Sequence, residues 1–149
     1  MTTSTISKNV FWVFARMSIA VYGRFPLFGA LRAAVGVLCR EGRYLVIHRN
    51  DGRGLSFPGG LQRPWETAEQ ALIREVREET GLEVTKCSLK LCYYSSTDIP
   101  VNVTVFEMEV SGQLRDSWEG LPCWLRIDDL RRDLLTSQRR ILEVVEVAG

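Results

Sequence analysis

Glu75, Glu78 and Glu79 stand at i, i+3 and i+4 in a stretch that runs from Gly59-Gly60 to Gly81-Leu82. On a helix, about 100° per residue puts these three carboxylates on one narrow face. Like charges so spaced cost a helix roughly 0.2–0.5 kcal/mol per pair. A hard divalent cation would reverse that cost, because Mg²⁺ and Mn²⁺ prefer carboxylate oxygens. The bland reading is a solvated helix face laced with Arg74 and Arg77, in which Arg74 and Glu78 form an i,i+4 pair.

The elements that must carry these residues follow from local signals. Thr67 and Gln70 form a capping-box pair, Ala68, Leu72 and Val76 make an apolar stripe, and Gly81 stops the helix. Before it, the apolar run Ala33–Arg40 and the β-branched Arg43–Arg49 predict a hairpin around Glu41-Gly42. Residues 50–54 are a loop and Leu55–Pro58 a short extended piece. After it come strands over Leu89–Ser96 and Val101–Val110, joined around Asp98-Ile99-Pro100. A polar loop over Asp116–Gly120 leads to a strand at Cys123–Ile127. A helix opened by Asp128-Asp129 and a last helix capped by Thr136, with Ile141, Leu142 and Val145 inward, complete the chain. Hairpins mixed with a helix between strands predict an α/β sandwich around a mixed sheet.

At 149 residues, with 46% hydrophobic and 25% charged residues, the chain suits one soluble domain with its own core. A net charge of +1 argues against nucleic-acid binding, although residues 1–40 hold five basic residues and no acid. Four cysteines without a C-x-x-C pair, and one histidine, make a zinc cluster improbable. Cys39, Cys87, Cys92 and Cys123 are read as reduced, buried thiols of a cytoplasmic protein. Residues 10–31 are apolar and aromatic, but Arg16, Arg24, Gly23 and Pro26 interrupt any membrane-spanning run. Residues 1–32 are therefore read as an N-terminal helical extension to a domain over 33–149. It packs on that domain or on a second copy, giving a homodimer, or lies at a lipid interface.

Gly60, Glu66, Arg74, Glu75, Val76, Glu78, Glu79, Gly81 and Leu82 fill every defined position of G-x5-E-x7-R-E-U-x-E-E-x-G-U, where U is aliphatic. The stretch thereby resembles the Nudix box, and the order of elements over 33–147 is similar to the fold of Nudix hydrolases. The resemblance implies a Nudix-type α/β/α sandwich and a water-driven cleavage of a diphosphate linked to another moiety. It implies Mg²⁺ or Mn²⁺ held by Glu75, Glu78 and Glu79, with the Gly59 carbonyl as a further ligand. Glu66 and Arg74 are read as a brace between loop and helix, alongside Gly60 and Gly81. Such folds also serve as non-catalytic nucleotide sensors, usually with an eroded box.

Glu119 resembles the late-loop glutamate that acts as general base in some members, with Glu79 as the second choice and Glu78 in the same catalytic group. For the small-molecule diphosphate substrate, Arg49 can grip phosphate bidentately, Arg53 can assist, and Trp65 or Trp118 can stack on a base. Trp124 is read as packing, His48 as a plain strand residue, and only one of Tyr93 and Tyr94 can face a pocket. Motifs marking NADH or coenzyme A subgroups are not seen after the box, so nucleoside triphosphates and nucleoside diphosphate sugars stay open as substrates.

Overall fold

A computed structural model describes residues 30–97 and 99–147. The N-terminal extension expected over residues 1–32 falls almost wholly outside them, as does Asp98. The strands are β1 (Leu31–Val37), β2 (Cys39–Arg40), β3 (Arg43–Arg49), β4 (Leu55–Ser56), β5 (Gly59–Leu61), β6 (Glu83–Ser95), β7 (Val101–Ser111) and β8 (Gly120–Leu125). The helices are α1 (Ala68–Thr80), α2 (Ile127–Asp133) and α3 (Arg139–Val147). Among the described residues, no helix is long and apolar enough to cross a membrane.

One sheet has the order β5-β1-β7-β6, with β1 and β7 parallel and the other pairs antiparallel. The other centres on β3, which pairs with β2, β4 and β8. The predicted α/β architecture is therefore found, but the predicted hairpin is divided. The run over 33–40 changes sheet at Leu38: β1 joins the first sheet, and only the two-residue β2 pairs with β3.

Alternation of side chains builds two cores, one on each face of the sheet. Ala34 of β1, Leu45 of β3 and Phe106 and Met108 of β7 pack with Ala71, Leu72 and Val76 of α1. Val35 and Val37, Val46, and Val101, Val103 and Val105 face the opposite way, toward Leu130, Ile141, Leu142 and Val145 of α2 and α3. Strand β6 starts six residues earlier than expected. It is an edge strand with a solvated face, so its polar residues hide the strand pattern. Thr136 does not cap the last helix; it opens a 3₁₀ turn, Thr136–Gln138, ahead of α3. The expectation of buried thiols is also corrected. All four cysteines are free, but Cys39 and Cys92 are exposed, because β2 and the edge strand β6 turn them to solvent.

Candidate active site

Helix α1 is held at both ends as its sequence predicts. The Thr67 hydroxyl accepts from Gln70 N–H, the Gln70 side chain accepts from Thr67 N–H, and Gly81 adopts a left-handed φ of 74°. Burial of Leu72 and Val76 then fixes the helix rotation and turns Glu79 inward. Glu79 is 2% exposed, and its Oε2 accepts a 2.8 Å bond from Gly59 N–H on β5. Glu75 is half-buried beside Gly60, while Glu78 is exposed. A side chain on Gly60 would come within 2.6 Å of a Glu75 carboxylate oxygen, so the glycine is what lets β5 pass.

Gly59 has φ 147°, and a Cβ there would lie 2.2 Å from the Ala34 carbonyl oxygen. The opposing atom is backbone in the middle of β1 and cannot swing away. Gly59→Ala is expected to cost roughly 2–4 kcal/mol of stability, measured as a lowered denaturation midpoint in urea.

The brace is present. Arg74 donates from Nε to Glu66 Oε1 at 2.7 Å and from Nη2 to Glu66 Oε2 at 3.0 Å. Its Nη2 also reaches the Leu61 carbonyl at 3.0 Å, and Nη1 donates to Glu75 at 2.5 Å. One guanidinium thus ties the pre-helix loop, β5 and the acidic face together. The Arg74 bonds hold the Glu66 pKa down at about 2. A depressed carboxylate stabilises the fold above its ordinary value of 4.5, and that contribution is lost as pH falls toward 2. Glu66→Gln is therefore expected to lower the melting temperature at pH 7 and to have no effect near pH 2. Arg77 does not lace the glutamate face; it is paired with Glu83 at 2.6 Å.

Strand β8 brings in Glu119. Pairing of Arg49 with Gly120 and the bond from Asn50 N–H to the Glu119 carbonyl, 2.9 Å, dock the loop against the end of β3. Glu119 N–H donates to Ser117 Oγ at 3.3 Å, which shapes the turn. The Glu79 and Glu119 carboxyl groups lie close enough for their charges to act on each other. Burial first, and then the charges of Glu119 and Glu75, push Glu79 well above the usual carboxylate range. Burial also raises Glu119 and Glu75.

The donor set suits a hard divalent cation in kind: four carboxylates, three of them partly or fully buried and each raised by its acidic neighbours. They do not stand as a finished cage. Among the described residues, no three acidic, histidine or cysteine side chains lie at metal-ligand spacing. Glu75 is turned to Arg74 and Glu79 to Gly59 N–H.

Arg49 and Arg53 line a cavity of about 170 Å³ together with Gly59 and Gly60. The Arg49 fork is already engaged, since Nε and Nη2 bond Asp51 at 3.1 and 2.6 Å. Burial opposes the Arg49 charge, but these bonds outweigh it and hold its pKa above the ordinary value. Sequence reasoning missed Asp51, whose side chain is 3% exposed; its position in an Asn-Asp-Gly turn signalled only a loop. It also missed Gln138, which lines the same cavity. Trp65, 77% exposed, and Trp118 do not line it. Trp124 packs against the α1 core under Arg40, and His48 is an exposed strand residue. Tyr93 is buried, its pKa pushed up to about 12 by burial, and Tyr94 faces solvent.

A mixed sheet between helices, with a buried glutamate of α1 bonded to a glycine strand and set beside a late-loop glutamate, defines an α/β protein whose adjoining cavity carries two arginines. The chain belongs to the Nudix family: the NUDIX domain model matches residues 30–145. It is 34% identical over 121 residues to a MutT-like protein of Streptomyces ambofaciens, covering 78% of each chain. It is 41% identical over 64 residues to an 8-oxo-dGTP diphosphatase of Proteus vulgaris, covering 40% of this chain and 57% of that one. The crystal structure of MutT NUDIX hydrolase from Burkholderia pseudomallei superposes with a TM-score of 0.70 at 25% identity, covering 78% of this chain and 98% of that one. Against the relatives with higher identity, the chain spans only 32% to 57% of their length.

Proposed function

We propose that this protein is a Mg²⁺- or Mn²⁺-dependent pyrophosphohydrolase acting on a nucleoside di- or triphosphate derivative. The observation that carries the reading is the buried Glu79, which accepts from Gly59 N–H beside the Glu119 carboxylate, with Gly59 also lining a cavity that holds Arg49 and Arg53. A divalent cation bound by Glu75, Glu78 and Glu79 would supply charge neutralisation of the diphosphate and a lowered pKa for bound water. The Gly59 carbonyl is the further ligand in this reading.

The residues divide the remaining work. Glu119, raised by burial, takes the proton of the attacking water. The water oxygen bonds to phosphorus, the bridging P–O bond breaks, and the departing phosphate oxygen leaves with the electron pair. Arg49 Nη1, outside the pair with Asp51, and Arg53 hold phosphate oxygens. Asp51 fixes the Arg49 plane. The substrate class is supported by the names of relatives such as the Proteus vulgaris diphosphatase.

The test is a hydrolysis screen of nucleoside triphosphates and nucleoside diphosphate sugars with Mg²⁺ or Mn²⁺, with products identified. Cation-dependent release of a nucleoside monophosphate is the expected result. Tight nucleotide binding without hydrolysis over hours would instead indicate a sensor.

A further inference from the structure

We propose that Phe28, in the segment that precedes the described residues, completes the wall of the substrate cavity and stacks on the nucleobase. The inference rests on the nucleotide reading above. The cavity is incomplete in two ways. Its volume is about 170 Å³, whereas a site that hides most of a small ligand's surface takes about 300 Å³ or more. No aromatic side chain among the described residues lines it; Ile99, Val101, Val103 and Leu135 supply its apolar lining.

The chain enters the domain at that lining. Leu31 pairs with Val101 and Ala33 with Val103, and Leu31, Ala33 and Val35 share one face of β1. Ala33 and Val35 line the cavity, and Leu31 is the next residue outward on their face. Two bonds pin the entry: Leu31 N–H donates to the Pro100 carbonyl at 2.9 Å, and Gln62 N–H to the Arg32 carbonyl at 2.7 Å. Pro100 sits between Ile99 and Val101 of the apolar lining. An extended chain covers at most about 3.6 Å per residue, so the Phe28 backbone is held within about 11 Å of Leu31.

Phe28 ends the run Phe25-Pro26-Leu27-Phe28, the apolar stretch nearest that entry. Between it and the strand stand Gly29 and Ala30, and glycine leaves the chain free to turn back over the cavity. An aromatic ring can stack on any nucleobase, because every base has a π-face. The exposed tryptophans Trp65 and Trp118 do not line the cavity and leave that role open. Charge favours the same placement. The side chains of residues 1–29 carry positive charge on Lys8, Arg16 and Arg24 and no negative charge, so a polyphosphate at Arg49 and Arg53 attracts the segment toward the site.

The experiment uses the full chain with guanosine, adenosine, cytidine and uridine triphosphates and with ADP-ribose and UDP-glucose. Phe28→Ala is expected to raise KM about tenfold for each nucleotide turned over, whatever its base, with kcat little changed. The Ki of inorganic pyrophosphate, which has no base, should stay the same. Phe28→Tyr keeps the ring and should restore KM. A second readout needs only wild-type protein, so it stands even where a variant folds poorly. The α,β-methylene analogue of the nucleotide used best should slow tryptic cleavage after Arg24 several-fold, and pyrophosphate should not. An unchanged KM in Phe28→Ala, an equal rise in the pyrophosphate Ki, or cleavage after Arg24 that the analogue does not slow would overturn the proposal. A dimer lost on sedimentation, or binding to phosphatidylserine vesicles lost, in Phe28→Ala at unchanged KM would assign the segment to a second copy or a lipid surface and overturn it too. Cleavage of other diphosphates with no nucleotide turned over would instead remove the nucleotide reading, and this proposal with it.

Discussion

Glu79→Gln is expected to lower hydrolysis by about a thousandfold and yet to raise the stability of the chelator-treated protein at neutral pH. The two effects have one source. Glu79 is 2% exposed, and burial together with the charges of Glu119 and Glu75 pushes its pKa well above the usual range. A carboxyl whose folded pKa is raised destabilises the fold increasingly as pH rises from its ordinary value of 4.5 to the folded value. Below 4.5 the penalty is absent, because both states are protonated. Gln keeps an acceptor for Gly59 N–H and brings no charge beside Glu119. Its melting-temperature gain should therefore be found at pH 7 and vanish at pH 4, measured by thermal unfolding in the presence of a chelator. If Glu79 holds the cation as proposed, added Mn²⁺ should stabilise the wild type and leave the variant unchanged.

Glu119→Gln carries the second large effect. A general base contributes about 10²–10⁴ in rate, so kcat should fall by that factor. Glu119 must be deprotonated to act, and burial raises its pKa. The wild-type rate should therefore fall as pH is lowered through a value above the ordinary 4.5. In Glu119→Gln that acid limb should disappear from what activity remains, while KM changes little. An acid limb that survives in Glu119→Gln would move the role to Glu79, the neighbouring buried carboxyl.

The acidic helix could be read from the sequence because its signals are local. The capping box, the apolar stripe and the glycine stop lie within 15 residues of one another and need no tertiary knowledge. The brace was legible through the Nudix box, which links Glu66 to Arg74 across one turn of loop and two of helix. The cavity wall was not. Gln138 meets Phe57 across 81 positions, and nothing in either neighbourhood announces the other. The division of the first strand at Leu38 was hidden for a related reason: a continuous apolar run fits either sheet, and pairing partners decide which. Arg49 lines the cavity beside Gly59 and Gly60, but Asp51, two residues on, takes the fork that was expected to be open. Trp65 illustrates the converse. Its residue type suggested base stacking, whereas the loop that holds it faces solvent.

Mn²⁺ binding, followed by the loss of the free-ion electron paramagnetic resonance signal, tests the central claim most directly. Wild-type protein and the double variant Glu78→Gln, Glu79→Gln would be titrated alongside hydrolysis assays on the same samples. The account predicts saturable Mn²⁺ binding by the wild type, and loss of both binding and turnover in the double variant. Unchanged Mn²⁺ affinity and unchanged turnover in the double variant would contradict it.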